Sequence, residues 1–294
     1  MTADKHADEP GRTVFGAAAE AYDAGRPGYH PALVAEVLTY SDATEHTTTE
    51  HTAVEIGAGT GKATVLFAAS GVAVTCLEPD TRMAEVLRRN TAAFPGVSIE
   101  VTSFEAWERG DRHFGMLLAA TSWHWVHRSR RWTTVADALD PGGIVALFWN
   151  PQGVLDRGLH AELARIDARH GLGESPHSRP ASAYGLQAGD WSEGDRTADE
   201  VGGEGHLHVG WPAAECRGDG RFRDLREVRL REETHYDTDR YVKFLESVST
   251  YRVLPDDRRR RALAETAAAL NRHGGGIDML HITDLFLARR ASPA

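Results

Sequence analysis

The chain has 294 residues, of which 41% are apolar and 26% charged, and its formal net charge is −10. That composition fits a soluble globular protein with one large domain or a domain carrying an insertion. The acidic balance argues against nucleic acid as a partner, and no apolar run of about 18 residues is present to span a bilayer. Two cysteines, Cys76 and Cys216, give no disulfide framework, and "MTADKHADEPGR" lacks an apolar h-region, so a reducing cytoplasm is the expected location.

Residues 1 to 12 are polar. "FGAAAEAYDAG" reads as a short helix closed by Gly25, and Leu33, Val34, Val37 and Leu38 then follow helical spacing. The Thr-rich stretch 41 to 52 is a loop. From Ala53 the chain alternates strand and helix. "AVEI" meets a glycine turn, "VAVTCLEP" ends a second strand in an acid, and "DTRMAEVLRRN" is a helix capped by Asp80. "VSIEV" and "HFGMLLAAT" are further strands. "SRRWTTVADAL" is a helix expected to stop at Pro141, Gly142 and Gly143, and "GIVALFWN" (143 to 150) is a buried strand. Near-continuous apolar strands separated by helices predict a parallel, doubly wound α/β sheet covered on both faces.

The alternation breaks after 150. "LHAELARIDARHG" is an amphipathic helix, and 173 to 220, rich in glycine and charge, reads as a loop or mobile lid insertion. "FRDLREVRLREETHY" is one long strand or a strand pair. "TDRYVKFLESV" and "PDDRRRRALAETAAALNRHGG" are helices, and "GIDMLHITDLFLARR" closes the chain as a strand. The expected divisions are an N-terminal cap (1–52), a cofactor-binding core (53–150), a helix with lid (151–220), and a C-terminal segment completing the sheet and capping the substrate (221–294).

The glycine turn carries the chemistry. "TAVEIGAGTGKATVLFAAS" places Gly57, Gly59 and Gly61 at alternate positions between strand and helix, a geometry that brings backbone N–H groups toward a ligand. A dinucleotide fingerprint needs its third glycine where Lys62 stands. The pattern is E-x-G-x-G-x-G, with Glu78 ending the next strand. An acid there accepts hydrogen bonds from ribose hydroxyls in either class of cofactor, but the glycine phase disfavours a pyrophosphate and with it an NAD(P)-dependent oxidoreductase.

"VEIGAGTGKAT" with "CLEPD" resembles the class I S-adenosylmethionine-dependent methyltransferases. "FGAAAEAYDAGRPGY", "ATSWHWV", "LFWN" and "ESVSTYRVLPDDRR" look like their small-molecule, trans-aconitate methyltransferase-like subgroup. The resemblance covers 14 to 150 well, 235 to 290 loosely, and 171 to 220 not at all. It implies a Rossmann-like, mostly parallel seven-stranded sheet with an antiparallel C-terminal strand. It implies S-adenosyl-L-methionine as cofactor and methyl transfer to a small organic acceptor. A noncatalytic binder on the same fold is the alternative.

The resemblance also assigns roles. Glu55 lies near the cofactor's amino-acid moiety, and Gly57, Ala58, Gly59 and Gly61 let the backbone approach. Glu78 holds the ribose. Pro79, Asp80 and Met83 flank the adenosine, Met83 alternatively serving as a core methionine. Ser103, Phe104 and Glu105 meet the adenine, and the backbone of Ala120 and Thr121 passes the methionine. Tyr22 and Arg26 fold over the cofactor, with Arg26 pairing a carboxylate or else a surface acid.

"SWHWVH" follows a buried strand at the edge where doubly wound sheets bind ligands. Trp123 and Trp125, with Tyr29, suit an apolar substrate wall with polar handles. His124 is the candidate general base, or a histidine that only hydrogen-bonds backbone. "EHTTTEH" and "HLH" lack the register of a metal site, so no metal is expected.

Overall fold

The computed structural model describes residues 19, 20, 23, 28–43, 51–184 and 212–292. The elements in chain order are α1 (Leu33–Asp42), β1 (Thr52–Ile56), α2 (Lys62–Ala69), β2 (Ala73–Leu77), α3 (Thr81–Asn90), β3 (Val97–Glu100), β4 (Phe114–Ala120), α4 (Arg131–Ala138), β5 (Leu139–Trp149) and β6 (Gln152–Val154). They continue as α5 (Arg157–His170), α6 (Ala213–Asp219), β7 (Phe222–Asp237), α7 (Thr238–Ser247), α8 (Ser249–Arg252), α9 (Asp256–Arg272) and β8 (Gly276–Arg290).

The strands form one sheet in the order β3-β2-β1-β4-β5-β8-β6, with β7 also paired to β8. β1 to β5 are mutually parallel, and β8 runs antiparallel to β5, β6 and β7. The expected mostly parallel architecture holds, with eight strands rather than seven. The apolar runs explain it. Leu117, Leu118, Val145, Ala146 and Leu147 are all fully buried, because helices cover both faces of the sheet. One face packs on α1 and α2 through Leu33, Val37 and Phe67, and the other on α4 and α6 through Trp132, Val135 and Cys216.

Two expectations need correction. β5 begins at Leu139, not Gly143. Pro141, Gly142 and Gly143 lie inside it as a bulge: Leu139 pairs with Phe114 and Ile144 with Met116, so the extra residues have no partners across the strand. "FRDLREVRLREETHY" is one strand whose pairing with β8 runs from Phe222 to Asp237, with a single register shift.

The second correction concerns the expected lid. Residues 185–211 lie outside the described residues, but the flanks on either side are packed. His177 is fully buried, its Nε2 3.1 Å from Asp167 Oδ1 and its Nδ1 3.0 Å from the Tyr241 hydroxyl. Ser175 donates to Asp167 Oδ2 at 2.5 Å. These bonds tie 175–177 to α5 and α7, where Leu163, Tyr241, Leu270 and Met279 build a third core around the N-terminal half of β8. The C-terminal half of β8 pairs with β5 and the N-terminal part with β6. A helical cap is thereby mounted at the C-terminal edge of the parallel strands, the edge where such sheets bind ligands.

Candidate active site

The cleft at that edge has two lobes of about 310 Å³ and about 110 Å³. Gly57, Gly59, Ala120 and Thr121 line both, so the lobes meet over the glycine turn and the end of β4.

The turn is built for close approach. Gly57 and Gly59 have φ of +64° and +61°, a region that disfavours side chains. A Cβ on Gly57 would also stand 2.8 Å from the Ser122 Cβ. Ser122 in turn donates to the Ile56 carbonyl, locking the ends of β1 and β4 together. Gly61 does a different job from the one expected. It does not line the cleft, and a Cβ there would meet Leu87 Cδ1 at 2.5 Å, so its smallness lets α3 pack on the start of α2.

Glu78 sits 5% exposed in the larger lobe. Gly59 N donates to its Oε2 at 2.8 Å and Asp80 N to its Oε1 at 2.9 Å. Burial raises its pKa and these two N–H groups pull it back. Each carboxylate oxygen keeps a lone pair for a ligand hydroxyl. Asp80 caps α3, accepting from Arg82 N and Met83 N, and its side chain pairs with Arg82. Burial opposes its ionisation, yet the Arg82 hydrogen bonds hold its pKa below the ordinary range. Pro79, Met83, Ser103, Phe104 and Glu105 line the same lobe, the apolar groups among them offering faces for a flat ring.

Glu55 stands near the end of β1, as expected, but beneath the turn rather than on the cleft wall. It is fully buried, lines neither lobe, and accepts from Thr64 Oγ1 at 2.6 Å through Oε2. Its Oε1 has no partner. Burial pushes its pKa up to about 7, Thr64 opposes this, and the neighbouring Glu78 adds a little. Glu55 therefore braces β1 against α2 from beneath the turn.

The aromatic segment divides. Trp123, expected to line a substrate pocket, is fully buried and absent from both lobes, with its ring centroid 5.0 Å from that of Trp132 and the Arg131 guanidinium 4.6 Å above it. His124 and Trp125 do line the larger lobe, their rings 4.8 Å apart. The short 3-10 turn over Trp123–Trp125 sends the two tryptophans in different directions.

Ala58 and Tyr29 line the smaller lobe. The Tyr29 hydroxyl is 3.3 Å from Thr121 Oγ1, and its ring meets Phe148 edge-on at 5.0 Å. Thr121 has φ +56°, a left-handed conformation rare for a β-branched residue and held by its N–H bond to Phe148 O at 2.8 Å. Tyr22 and Arg26 lie outside the described residues, as do "HLH" and most of "EHTTTEH". Among the described residues no group of three or more His, Cys, Asp or Glu side chains is placed to hold a metal, and no helix is long and apolar enough to cross a membrane.

Five residues that the sequence did not single out also line the smaller lobe: Thr60, Lys62, Ala63, Asn150 and Gln152. Asn150 Nδ2 donates to Gly28 O at 2.8 Å, while Thr283 Oγ1 donates to Asn150 Oδ1 at 3.1 Å and accepts from His30 N at 3.2 Å. That chain of bonds seats residues 28–30 across the end of β5. The signal was present in "LFWN", where a polar residue ends a buried strand at the ligand edge.

Residues 53–143 match the family described as "Methyltransferase domain". This part of the chain carries a methyltransferase domain. The chain is 34% identical over 136 residues to an uncharacterized methyltransferase of Mycobacterium tuberculosis, covering 46% of this chain and 51% of that one. It is 28% identical over 130 residues to an uncharacterized methyltransferase of Schizosaccharomyces pombe, covering 44% and 49%. The chain thus spans about half the length of the curated relatives it matches. A solved structure assigned as a type II methyltransferase of Anaeromyxobacter dehalogenans superposes with a TM-score of 0.56 at 18% identity, covering 91% of this chain and 99% of that one, a likeness of fold.

Proposed function

We propose that the chain transfers a methyl group from S-adenosylmethionine to a small organic acceptor, a carboxylate or hydroxyl of an organic acid or secondary metabolite. The observation that carries this reading is the two-lobed cleft of the methyltransferase domain, its lobes meeting at Gly57, Gly59, Ala120 and Thr121. The cavity suits the cofactor on three counts. Two glycines in left-handed backbone leave room above the turn, Glu78 is fixed with lone pairs to spare, and the larger lobe has apolar walls at Met83 and Phe104.

When bound, the cofactor supplies a methyl already activated for in-line displacement, so the protein's task is chiefly proximity and alignment. Glu78 orients the ribose end. Tyr29 and Thr121, joined by their hydroxyls, wall the cleft where its lobes meet. Trp125 excludes water from one side and brings an indole N–H that can orient an anion. A carboxylate acceptor is already ionised near neutral pH and needs only such positioning. A hydroxyl acceptor must lose a proton, and His124, on the wall of the same lobe, is the group we assign to take it.

The test is incubation with methyl-labelled S-adenosylmethionine and panels of organic acids and hydroxylated metabolites, read by mass spectrometry. Acceptor-dependent formation of labelled product with S-adenosylhomocysteine supports the proposal. Cofactor binding without transfer to any acceptor class identifies a noncatalytic binder instead.

A further inference from the structure

Thr283 is a hydroxyl in an apolar setting. It shares a face of β8 with Leu285 and Leu287, is 3% exposed, and lines neither lobe of the cleft. A buried hydroxyl without partners costs stability. This one has two, and both lead to the cleft. Its Oγ1 donates to Asn150 Oδ1 at 3.1 Å and accepts from His30 N at 3.2 Å. Asn150 passes the link on, its Nδ2 donating to Gly28 O at 2.8 Å. His30 is fixed a second time, because Ala32 N donates to its Nδ1 at 3.1 Å just before α1 begins. Gly28 and His30 are thus each tied down, and Tyr29 stands between them. Its ring lies edge-on to Phe148 at 5.0 Å and its hydroxyl 3.3 Å from Thr121 Oγ1. Thr121 lines both lobes and bonds back to Phe148 O through its N–H. A closed circuit results, from the end of β4 through Tyr29 to β5 and β8 and back. Gly28 is exposed and Tyr29 half-buried, so this stretch is the solvent-side wall of the smaller lobe. Without the Thr283 hydroxyl, His30 N loses its partner and the Asn150 amide loses the bond that fixes its orientation.

We infer that Thr283 is a positioning residue of the cleft: through His30 and Asn150 it holds Tyr29 against Thr121, and so governs how fast a bound ligand leaves. The inference rests on the proposed cofactor reading of the cleft. It adds to that reading a residue of the last strand, 253 positions in sequence from His30. Ligand exit requires the wall to open, and opening of this kind limits turnover in many enzymes.

Dissociation of tritiated S-adenosylhomocysteine from the full chain is followed by chase with excess unlabelled ligand, and urea unfolding is run on the same variants. Thr283→Val keeps the shape and removes the hydroxyl. It should speed dissociation by roughly 3- to 10-fold, with association changed by less than about twofold. Thr283→Ser keeps the hydroxyl and should stay within about twofold of the wild type. Tyr29→Ala removes the wall itself, and on that background Thr283→Val should add less than about twofold. A merely structural role gives another pattern: a lower urea midpoint with unchanged dissociation, or an acceleration of the same size with and without Tyr29. Either result overturns the inference and leaves the proposed function standing, as does Thr283→Ser dissociating as fast as Thr283→Val. Asn150→Ala cuts the other arm and tests the circuit even where Thr283→Val fails to fold. Its acceleration should likewise vanish on the Tyr29→Ala background, and an undiminished one overturns the inference. Failure of the wild-type chain to bind S-adenosylhomocysteine would remove both the inference and the proposed function.

Discussion

The backbone N–H of Gly59 reaches Glu78 Oε2 at 2.8 Å, so the glycine turn and the end of the second strand act as one piece. Glu78→Ala removes the acceptor for that bond and for the Asp80 N–H, and, in the function proposed above, for the ribose. Loss of hydrogen bonds to a charged group costs about 1.5–3 kcal/mol, so S-adenosylhomocysteine affinity should fall by roughly 10- to 150-fold. Calorimetry giving wild-type affinity would show that the carboxylate does not meet the ribose.

Glu55 makes stability depend on pH with a definite sign. Its folded pKa, about 7, lies above the ordinary 4.5, so between those values the folded chain holds a proton that the unfolded chain has released. Stability from this group is full below about pH 4.5, declines as pH rises toward 7, and is flat above. At about 1.4 kcal/mol per pH unit the decline is at most roughly 3 kcal/mol. Glu55→Gln should match wild type near pH 5 and exceed it near pH 8 in thermal unfolding. Parallel profiles for the two proteins would show that the group does not titrate in this window.

Two tryptophans separated by one residue should behave oppositely. Trp123→Ala empties a fully buried site packed on Trp132, at a cost of about 3–5 kcal/mol in urea unfolding. Trp125→Ala, on the cleft wall, should leave stability within about 1 kcal/mol and act on acceptor KM instead. Comparable destabilisation by both would mean that Trp125 is part of the core.

His124→Ala separates the two acceptor classes. Turnover should drop by roughly 10²–10⁴ if the acceptor is a hydroxyl that must be deprotonated, and change little if it is a carboxylate. A full loss of cofactor affinity in this variant, measured in parallel, would contradict its placement on the acceptor side.

Arg229 and Asp284 face each other across β7 and β8 in a buried pair, with Nε to Oδ1 at 2.5 Å and Nη2 to Oδ2 at 2.9 Å. Asp284→Ala leaves a buried guanidinium without this partner and should cost about 3–5 kcal/mol. Urea midpoints measured for wild type and variant check it.

The parts of the fold legible in the sequence were those with a period. The apolar runs at 53–56, 72–79 and 113–121 announced buried strands, and the glycine spacing with Glu78 announced the cleft. What escaped depended on direction rather than composition. Glu55 lies within β1 and Glu78 just past the end of β2, and only the folded chain turns one under the glycine turn and the other into the cavity. Trp123 and Trp125 read alike until the turn that carries them is known. Pro141-Gly142-Gly143 carries the signature of a turn and is instead a bulge within a strand, since pairing with β4 resumes on its far side. Lys62 was visible only as the residue displacing a glycine, and the wall it shares with Thr60 exists only once α2 is set against β1.

The fifteen residues of β8 give the two halves of the protein a common spine. One end of that strand completes the sheet beside β5, and the other carries the helices around Tyr241 and Leu270. Because β7 is laced to β8 along nearly its whole length, the helical cap cannot swing on a hinge as separate clamshell domains do without tearing a continuous ladder. Calorimetric unfolding should accordingly yield one endotherm, and a proteolytic fragment ending before Gly276 should lose the sheet's closing strand and the cap's foundation together.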